Sequence, residues 1–515
     1  NFNYLGLNLK YVRLIFFHNK LVLSQVNLSK ESPQRCLLTY SIIMTICAIS
    51  TAHGGAIGVI RTSGPNAIEI TDKIFRSVNG KPLAERKAYT QTFGHIINEK
   101  SEIIDEVLVS VYRAPHSYTG ENSTEISCHG SEYILREVLH LLIANGCRLA
   151  EPGEFTKRTF MNGKMDLSQA EAVADLIASD SAASHRVAMN QMRGGFSKEL
   201  SALRDKLLTL TSLMELELDF SDHEDLEFAD RTELLDLSSI IENKLSELVQ
   251  SFRVGNAIKK GIPVAIVGQT NAGKSTLLNA LLGEERAIVS DIHGTTRDVI
   301  EDTMIINGTT FRFIDTAGIR DTADAIESIG IQRSYEKLQQ ADIIIWMIDI
   351  NQIAETLKDL GADILSATTD KHLIIAINKV DESSEQITST IETEITQFLS
   401  TNNKSISSCL KVETALLSAK LNKGVNTLKE NLATSPCIPQ CSGDNTIVTN
   451  TRHFAALSQA LAAIHRVQEG LNLQLSGDFI SQDLRECIHH LSDIVGEVST
   501  DSVLQNIFKH FCIGK

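Results

Sequence analysis

Gly268-Gln-Thr-Asn-Ala-Gly273-Lys274-Ser275 fits the pattern G-x4-G-K-[ST], between an apolar run and the helical run Thr276–Leu282. A glycine-rich turn at such a junction lets backbone N–H groups wrap phosphate oxygens at the positive end of a helix. Asn271, Ala272 and Gly273 form that turn, and Thr276 stands with them at the helix start. Lys274 suits the β- and γ-phosphate oxygens, and the Ser275 hydroxyl suits Mg2+.

Four further elements follow in order. Gly294-Thr295-Thr296-Arg297-Asp298 lies between the P-loop and Asp315, where a loop can bring Thr296 to Mg2+. Ser290, Asp291, Ile292 and His293, just before it, are counted as nucleotide contacts. Asp315-Thr316-Ala317-Gly318 closes a predicted strand, so that its carboxylate reaches Mg2+ through water and the Gly318 N–H senses the γ-phosphate. Asn378-Lys379-Val380-Asp381 closes another. A carboxylate at Asp381 accepts hydrogen bonds from the guanine N1–H and 2-amino group, which adenine does not offer. Ser418-Ala419-Lys420 backs the base. Five elements in this order exclude chance glycine turns and point to a P-loop guanine-nucleotide hydrolase. Many small GTPases place a water-orienting Gln immediately after D-x-x-G; this chain has Ile319. An apolar side chain cannot orient water, so Asn271 and Glu327 become the candidates for catalytic help.

These residues need a scaffold. Ile262–Val267, Phe311–Ile314, Ile343–Ile350 and Leu373–Ile377 are apolar runs alternating with helical stretches, which predicts a parallel sheet wrapped by helices over 256–435. From Leu167 to Phe252 the texture is helical. Leu200, Leu203, Leu207, Leu210 and Met214 recur at helical spacing, as do Leu234, Leu237, Ile241, Leu245, Leu248 and Phe252. A third stripe, Leu484, Ile488, Leu491, Val495 and Val498, follows a Pro/Cys/Ser/Gly linker at Ser435–Gly443. Each stripe alone would expose an apolar face, so the flanks 161–255 and 436–515 are expected to pack as one helical domain around an insertion. Residues 44–160 alternate short β-like runs (Ala56–Ile60, Glu106–Tyr112, Glu125–Cys128) with the helical Ser131–Ala144, which predicts an α+β domain.

At 515 residues the chain exceeds a single core. Its net charge of −16 excludes a protein that coats nucleic acid nonspecifically. Glu215–Glu233 carries nine acids and one base and reads as a solvated loop and helix start, with a metal or basic partner as the alternative. The nine cysteines are scattered, which fits reduced thiols in a cytosol-like compartment. Cys437 and Cys441 form a lone C-x3-C and read as linker thiols, because structural zinc wants four ligands. Residues 1–43 carry Lys10, Arg13, Lys20, Lys30 and Arg35 against Glu31 alone, and the first Met is Met44. We read them as sequence upstream of a start at Met44, with an organelle presequence as the alternative. Their apolar runs fall short of the ~18 residues of a membrane span.

Outside the nucleotide motifs, several blocks resemble one family, the tRNA-modification GTPase MnmE (TrmE) family. They are Ile46-Cys-Ala-Ile-Ser-Thr-Ala with Gly55-Ala-Ile-Gly-Val-Ile-Arg61, Ser117-Tyr-Thr-Gly-Glu121 through Glu125, and Pro152-Gly-Glu-Phe-Thr-Lys-Arg through Asn162-Gly-Lys-Met-Asp-Leu-Ser-Gln-Ala-Glu171. The terminal Phe511-Cys512-Ile-Gly-Lys515 completes the set. The match departs at His53–Gly54, where many members carry a Pro-Gly-Arg type turn.

The resemblance implies a multidomain α/β protein with an N-terminal α+β folate-binding domain that dimerises, an all-α helical domain and an inserted Ras-like P-loop GTPase domain. It implies a cytoplasmic homodimer, mitochondrial if the leader is a presequence. That homodimer would act in a heterotetrameric complex with the FAD-dependent flavoprotein MnmG (GidA). Together they would install an aminomethyl-type group on C5 of the wobble uridine of certain tRNAs. The one-carbon unit would come from 5-formyl- or methylene-tetrahydrofolate. Arg61, Glu125, Lys164 and Lys515 correspond to folate-contacting positions. Taken alone, Arg61 reads as a surface cation at a strand end and Lys164 as a solvated loop residue. Asn271 resembles the family's K+-coordinating residue, helped by Ser290, Ile292 and Thr295, with Glu327 orienting water. Cys512 reads either as an inert thiol or as part of the modification chemistry. The alternative is a ribosome-assembly GTPase of the Era or Der kind, which performs no covalent tRNA chemistry.

Overall fold

This computed structural model describes residues 44–52, 54–219, 231–283, 302–314, 338–382, 385–402, 409–438, 446–497, 501–509, 511 and 514. The chain divides into two compact units, one holding residues 1–166 and 499–515 and the other 167–498.

The first unit is built on β1 (Ile46–Ile49), β2 (Ile57–Ser63), β3 (Phe75–Ser77), β4 (Thr90–Ile97), β5 (Ile103–Tyr112), β6 (Ser123–His129) and β7 (Arg148–Leu149). They form one seven-stranded sheet in the order β3-β4-β5-β6-β2-β1-β7. Helices α1 (Ala67–Ile74) and α2 (Glu132–Ala144) bury Ile68, Ile70, Ile74, Leu135, Val138 and Leu142 against the sheet. The alternation Ile60, Val107, Val109, Val111 and Ile126 supplies the facing layer. The β4–β5 turn is set locally, by the Asn98 side chain accepting from the Lys100 and Glu102 N–H groups. Helix α3 (Glu154–Met161) follows β7.

The second unit opens with α4 (Leu167–Ala178), α5 (Ala182–Met192), α6 (Gly195–Asp219) and α7 (Arg231–Lys260). An α/β layer then interrupts the helices: β8 (Ile262–Gly268), α8 (Lys274–Gly283), β9 (Asp302–Ile306), β10 (Thr309–Phe313), β11 (Ile343–Asp349), α9 (Ile353–Ala367), β12 (His372–Asn378), α10 (Glu385–Thr401), β13 (Lys411–Leu416) and α11 (Val425–Ala433). Its sheet runs β13-β12-β11-β8-β10-β9, parallel except for the β9–β10 hairpin. Separate cores lie on its two faces, one lined by Leu277, Leu281 and Leu428, the other by Leu357, Leu365 and Ile395. The helical layer resumes with α12 (Thr451–Asn472) and α13 (Gly477–Val495). Leu200, Leu207, Met214, Leu234, Leu245, Leu457, Ile464, Leu484 and Leu491 share one core, so the stripes on both sides of the α/β layer close on each other. Helix α14 (Asp501–Lys509) belongs to the first unit. Sequence periodicity predicts one helical stretch over 436–515; the compact units divide that stretch near residue 498.

One buried polar cluster ties the helical layer across the insertion. Glu171 of α4 pairs with Arg452 (Nε to Oε1, 3.1 Å) and His453 (Nε2 to Oε2, 2.6 Å), the second and third residues of α12. Arg452 also donates to the Asp493 and Ile494 carbonyls, closing the end of α13. Burial opposes ionisation of Glu171, but His453 and Arg452 outweigh it and hold the carboxyl at about 2, below its ordinary 4.5. A depressed folded-state value stabilises above the unfolded value and is lost as pH falls through the folded one. The second unit should therefore lose on the order of 3 kcal/mol as pH drops from about 4.5 to about 2. Glu171→Gln should be less stable than the parent at pH 7 and converge on it in that acid window, measured by urea unfolding followed by far-UV circular dichroism.

Candidate functional site

The phosphate loop joins β8 to α8 at the carboxyl end of the parallel strands, where ligands of open α/β sheets sit. Gly268, Asn271 and Gly273 hold φ of 153°, 64° and 98°. A Cβ on Gly273 would run into the Asn378 amide, so the loop has room only for glycine there. Asn378 is buried at the end of β12 and bridges two loops. Its Nδ2 donates to the Ala272 carbonyl at 2.8 Å, and its Oδ1 accepts from the Ala419 N–H at 2.9 Å. The phosphate loop and the Ser418–Lys420 loop are thereby held by one side chain. Lys274 Nζ donates to the Gly268 and Gln269 carbonyls, both at 2.8 Å, which closes the loop on itself. Ser275 and Thr276 follow in the first turn of α8, Thr276 exposed.

Asp381 is fully exposed. The Ser418 hydroxyl, then Lys420 and Lys423, hold its carboxyl below the ordinary value, so it is an anion and a pure acceptor at neutral pH. Lys379, beside Asn378, pairs with Asp349 at the end of β11, a partner that motif spacing did not indicate. These residues fit a guanine nucleotide, with N–H groups and a lysine at the phosphate end and an anionic acceptor at the base end. Ser290 to Thr296, Asp315 to Gly318, and Glu327 lie outside the described residues.

A second cluster forms in the first unit. Arg61 of β2 lies opposite Glu125 of β6 in the antiparallel register, and two guanidinium nitrogens donate to Glu125 Oε1 at 2.9 and 2.8 Å. The guanidinium also lies 5.4 Å from the Tyr118 ring centroid and 5.7 Å from that of Phe155. Tyr112 donates to Glu125 Oε2 at 3.2 Å. Burial raises the Tyr118 hydroxyl above its ordinary value; burial and then Glu125 do the same to Tyr112, so both phenols stay neutral. The Gly514 carbonyl accepts from Arg61 at 3.4 Å and from the Ser50 hydroxyl at 3.2 Å, which anchors the terminal tail beside the pair. Lys164 donates to the Pro115 and Ser117 carbonyls and thus braces the loop that carries Tyr118. Arg61, Glu125 and the tail meet directly; Lys164 reaches them through that loop. Cations, a carboxylate and aromatic rings suit a flat heterocycle with an amino-pyrimidine edge and an anionic tail. Motif spacing does not mark Tyr112, Tyr118 and Phe155 as site residues, although the last two stand inside the family-like segments Ser117–Glu121 and Pro152–Arg158. Cys512 and Lys515 lie outside the described residues.

Among the described residues no cluster of His, Cys, Asp and Glu could hold a metal ion, and no helix is long and apolar enough to cross a membrane. Cys437, half-buried, donates to the Asp342 carbonyl; Cys441 is outside the described residues.

Residues 45–164 match the family model described as GTP-binding protein TrmE N-terminus, and 167–512 match the MnmE helical domain. The tRNA modification GTPase MnmE of Bacteroides thetaiotaomicron is 60% identical over 472 residues, covering 92% of this chain and 99% of the relative. The MnmE of Parabacteroides distasonis is 60% identical over 475 residues, covering 92% and 100%. That of Christiangramia forsetii is 51% identical over 478 residues, covering 92% and 99%. Among solved structures, Era in complex with MgGDPNP and nucleotides 1506-1542 of 16S ribosomal RNA overlaps 39% of this chain and 66% of its own, with 26% identity and a TM-score of 0.24. With matched residues running almost from Thr45 to the terminus, and half or more of them identical to each of these relatives, the chain belongs to the MnmE family of tRNA modification GTPases.

Proposed function

We propose that the protein hydrolyses GTP and, with a flavoprotein partner of the MnmG (GidA) kind, modifies C5 of the wobble uridine of certain tRNAs. The observation that carries the GTPase half is the Asn378 clasp, which joins the phosphate cradle to the loops beside Asp381. In this reading Ser275, Thr296 and Asp315 would hold Mg2+, and Lys274 would serve the phosphate oxygens. Bound Mg2+ supplies charge neutralisation on the β- and γ-phosphates. Lacking a Gln after Gly318, the site calls on K+ held by Asn271, Ser290, Ile292 and Thr295, completed when two G domains face each other, with Glu327 orienting water. The exposed, left-handed Asn271 at the loop crest supports that role.

For the second half, the Arg61–Glu125 pair with its aromatic surround supports a tetrahydrofolate site, to which Lys164 and Lys515 contribute. A homodimer in the cytoplasm, joined to the FAD-carrying partner and to tRNA, is the assembly this reading needs. Cys512 would supply thiolate chemistry at the tail.

The following outcomes test the proposal. The parent should bind GTP far better than ATP. Asp381→Asn should weaken GTP on the order of 100-fold, for two lost charge-assisted hydrogen bonds, and improve xanthosine triphosphate; equal competition by ATP in a binding assay ends the guanine reading. Steady-state hydrolysis should be faster in K+ than in Na+ and should drop sharply in Glu327→Ala. Turnover indifferent to both changes removes the cation mechanism. Finally, Lys274→Ala should abolish hydrolysis while retaining folate binding, and Arg61→Ala should do the reverse. Cys512→Ser should hydrolyse GTP and bind folate yet leave tRNA unmodified in a mixture with the flavoprotein, FAD, reductant, folate, glycine or ammonium, GTP and K+. Full wobble-uridine modification by Cys512→Ser takes that residue out of the chemistry.

A further inference from the structure

Asp349 ends β11 directly opposite Asn378 in the parallel ladder with β12. Lys379, one residue beyond, holds φ of 67°, in the left-handed region that is unfavourable for a non-glycine residue. Its ammonium lies 2.6 Å from Asp349 Oδ2, with the two side chains 30% and 13% exposed. Burial works against the charged carboxylate, but Lys379 and the Asn351 N–H outweigh it and hold Asp349 below its ordinary value. The other oxygen, Oδ1, accepts from the Asn351 N–H at 3.0 Å and from Asn351 Nδ2 at 3.2 Å. Asn351 Nδ2 also lies 3.3 Å from Glu382 Oε2, the residue immediately after Asp381. One carboxylate therefore grips the turn on both sides of Asp381, at Lys379 directly and at Glu382 through Asn351.

We propose that Asp349 is a positioning residue for guanine recognition, holding Lys379 and with it the Asn378–Asp381 turn in the conformation that aims the Asp381 carboxylate at the base. The proposal rests on reading Asp381 as the guanine acceptor. Without the anion, the turn keeps its backbone hydrogen bonds, from the Glu382 N–H to the Lys379 carbonyl and from the Val380 N–H to the Leu417 carbonyl, but loses the side-chain tie on Lys379 and loosens. A carboxylate whose hydrogen bonds depend on angle then loses its grip on two base donors at once.

Full-length variants titrated with GDP and with inosine diphosphate, which lacks the 2-amino group, test this. Asp349→Asn keeps the size and the oxygen acceptor for Asn351 and removes only the charge. Its GDP dissociation constant should rise about tenfold, equivalent to about 1.4 kcal/mol. The constant for inosine diphosphate should rise less, so that the preference between them shrinks. Lys379→Met should behave alike, and the double variant should bind GDP no more weakly than Lys379→Met alone. Asp349→Glu should recover part of the loss. Thermal melting checks that each variant is folded, and Lys379→Met reads the same link from the other end if Asp349→Asn melts early. GDP affinity at the parent level in Asp349→Asn, equal losses for both nucleotides, or losses that add in the double variant would each overturn the proposal. Asp381→Asn in parallel separates the two readings: if it binds GDP like the parent, the guanine reading fails as well, and if it weakens while Asp349→Asn is silent, only the positioning role is lost.

Discussion

The second unit depends on one constraint: helices encoded before and after the α/β layer have to bury a single apolar core. Leu207 and Leu245 come from one side of the insertion, Leu457 and Leu484 from the other, and all four are fully buried together. Each such side chain left in water would forfeit about 1.5–3 kcal/mol. Neither flank is stable with its stripe exposed, so the chain entering β8 and the chain leaving α11 must return to the same helical body. The Glu171–Arg452–His453 cluster adds direction to that closure, because burying Glu171 and His453 is tolerable only when they meet partners.

Within the inserted layer, the parallel sheet does similar work for polar groups. Its strands bring the loops after β8, β11 and β12 to one edge, and single side chains then tie them together. Asn378 spans the phosphate loop and the Ser418–Lys420 loop; Asp349, at the end of β11, holds Lys379 in the Asn378–Asp381 turn. Four positions with positive φ (Gly268, Asn271, Gly273 and Lys379) sit in this small region. The strain falls on the two non-glycine positions, Asn271 and Lys379, and is offset by the surrounding hydrogen bonds rather than relieved.

The first unit solves the opposite problem, holding charge on a sheet face. Register sets Arg61 across from Glu125, rings of Tyr118 and Phe155 crowd the guanidinium, and the Gly514 carbonyl from the distant terminus joins them. Gly153, with φ of 65°, leaves no space for a Cβ against the Phe508 carbonyl and Phe511, which lets the terminal segment lie close to α3.

Elements with short-range signatures were legible in the sequence alone. The phosphate loop, the Asn378–Asp381 turn and the three apolar helical stripes are patterns of spacing, and spacing is set by helix and strand periodicity within a dozen residues. The α/β class, the helical flanks and the family blocks followed from the same kind of reading. What only the tertiary structure decided are pairings between residues far apart in the chain: Glu171 with Arg452, Asp349 with Lys379, Arg61 with Tyr118, Phe155 and the Gly514 carbonyl. A carboxylate, a phenol or a backbone carbonyl carries no local mark of the partner it will meet, because that partner is chosen by sheet order and helix packing. Only when the strands are in register and the stripes are buried does a lone Asp349 at a strand end become the counter-ion of a lysine thirty residues away.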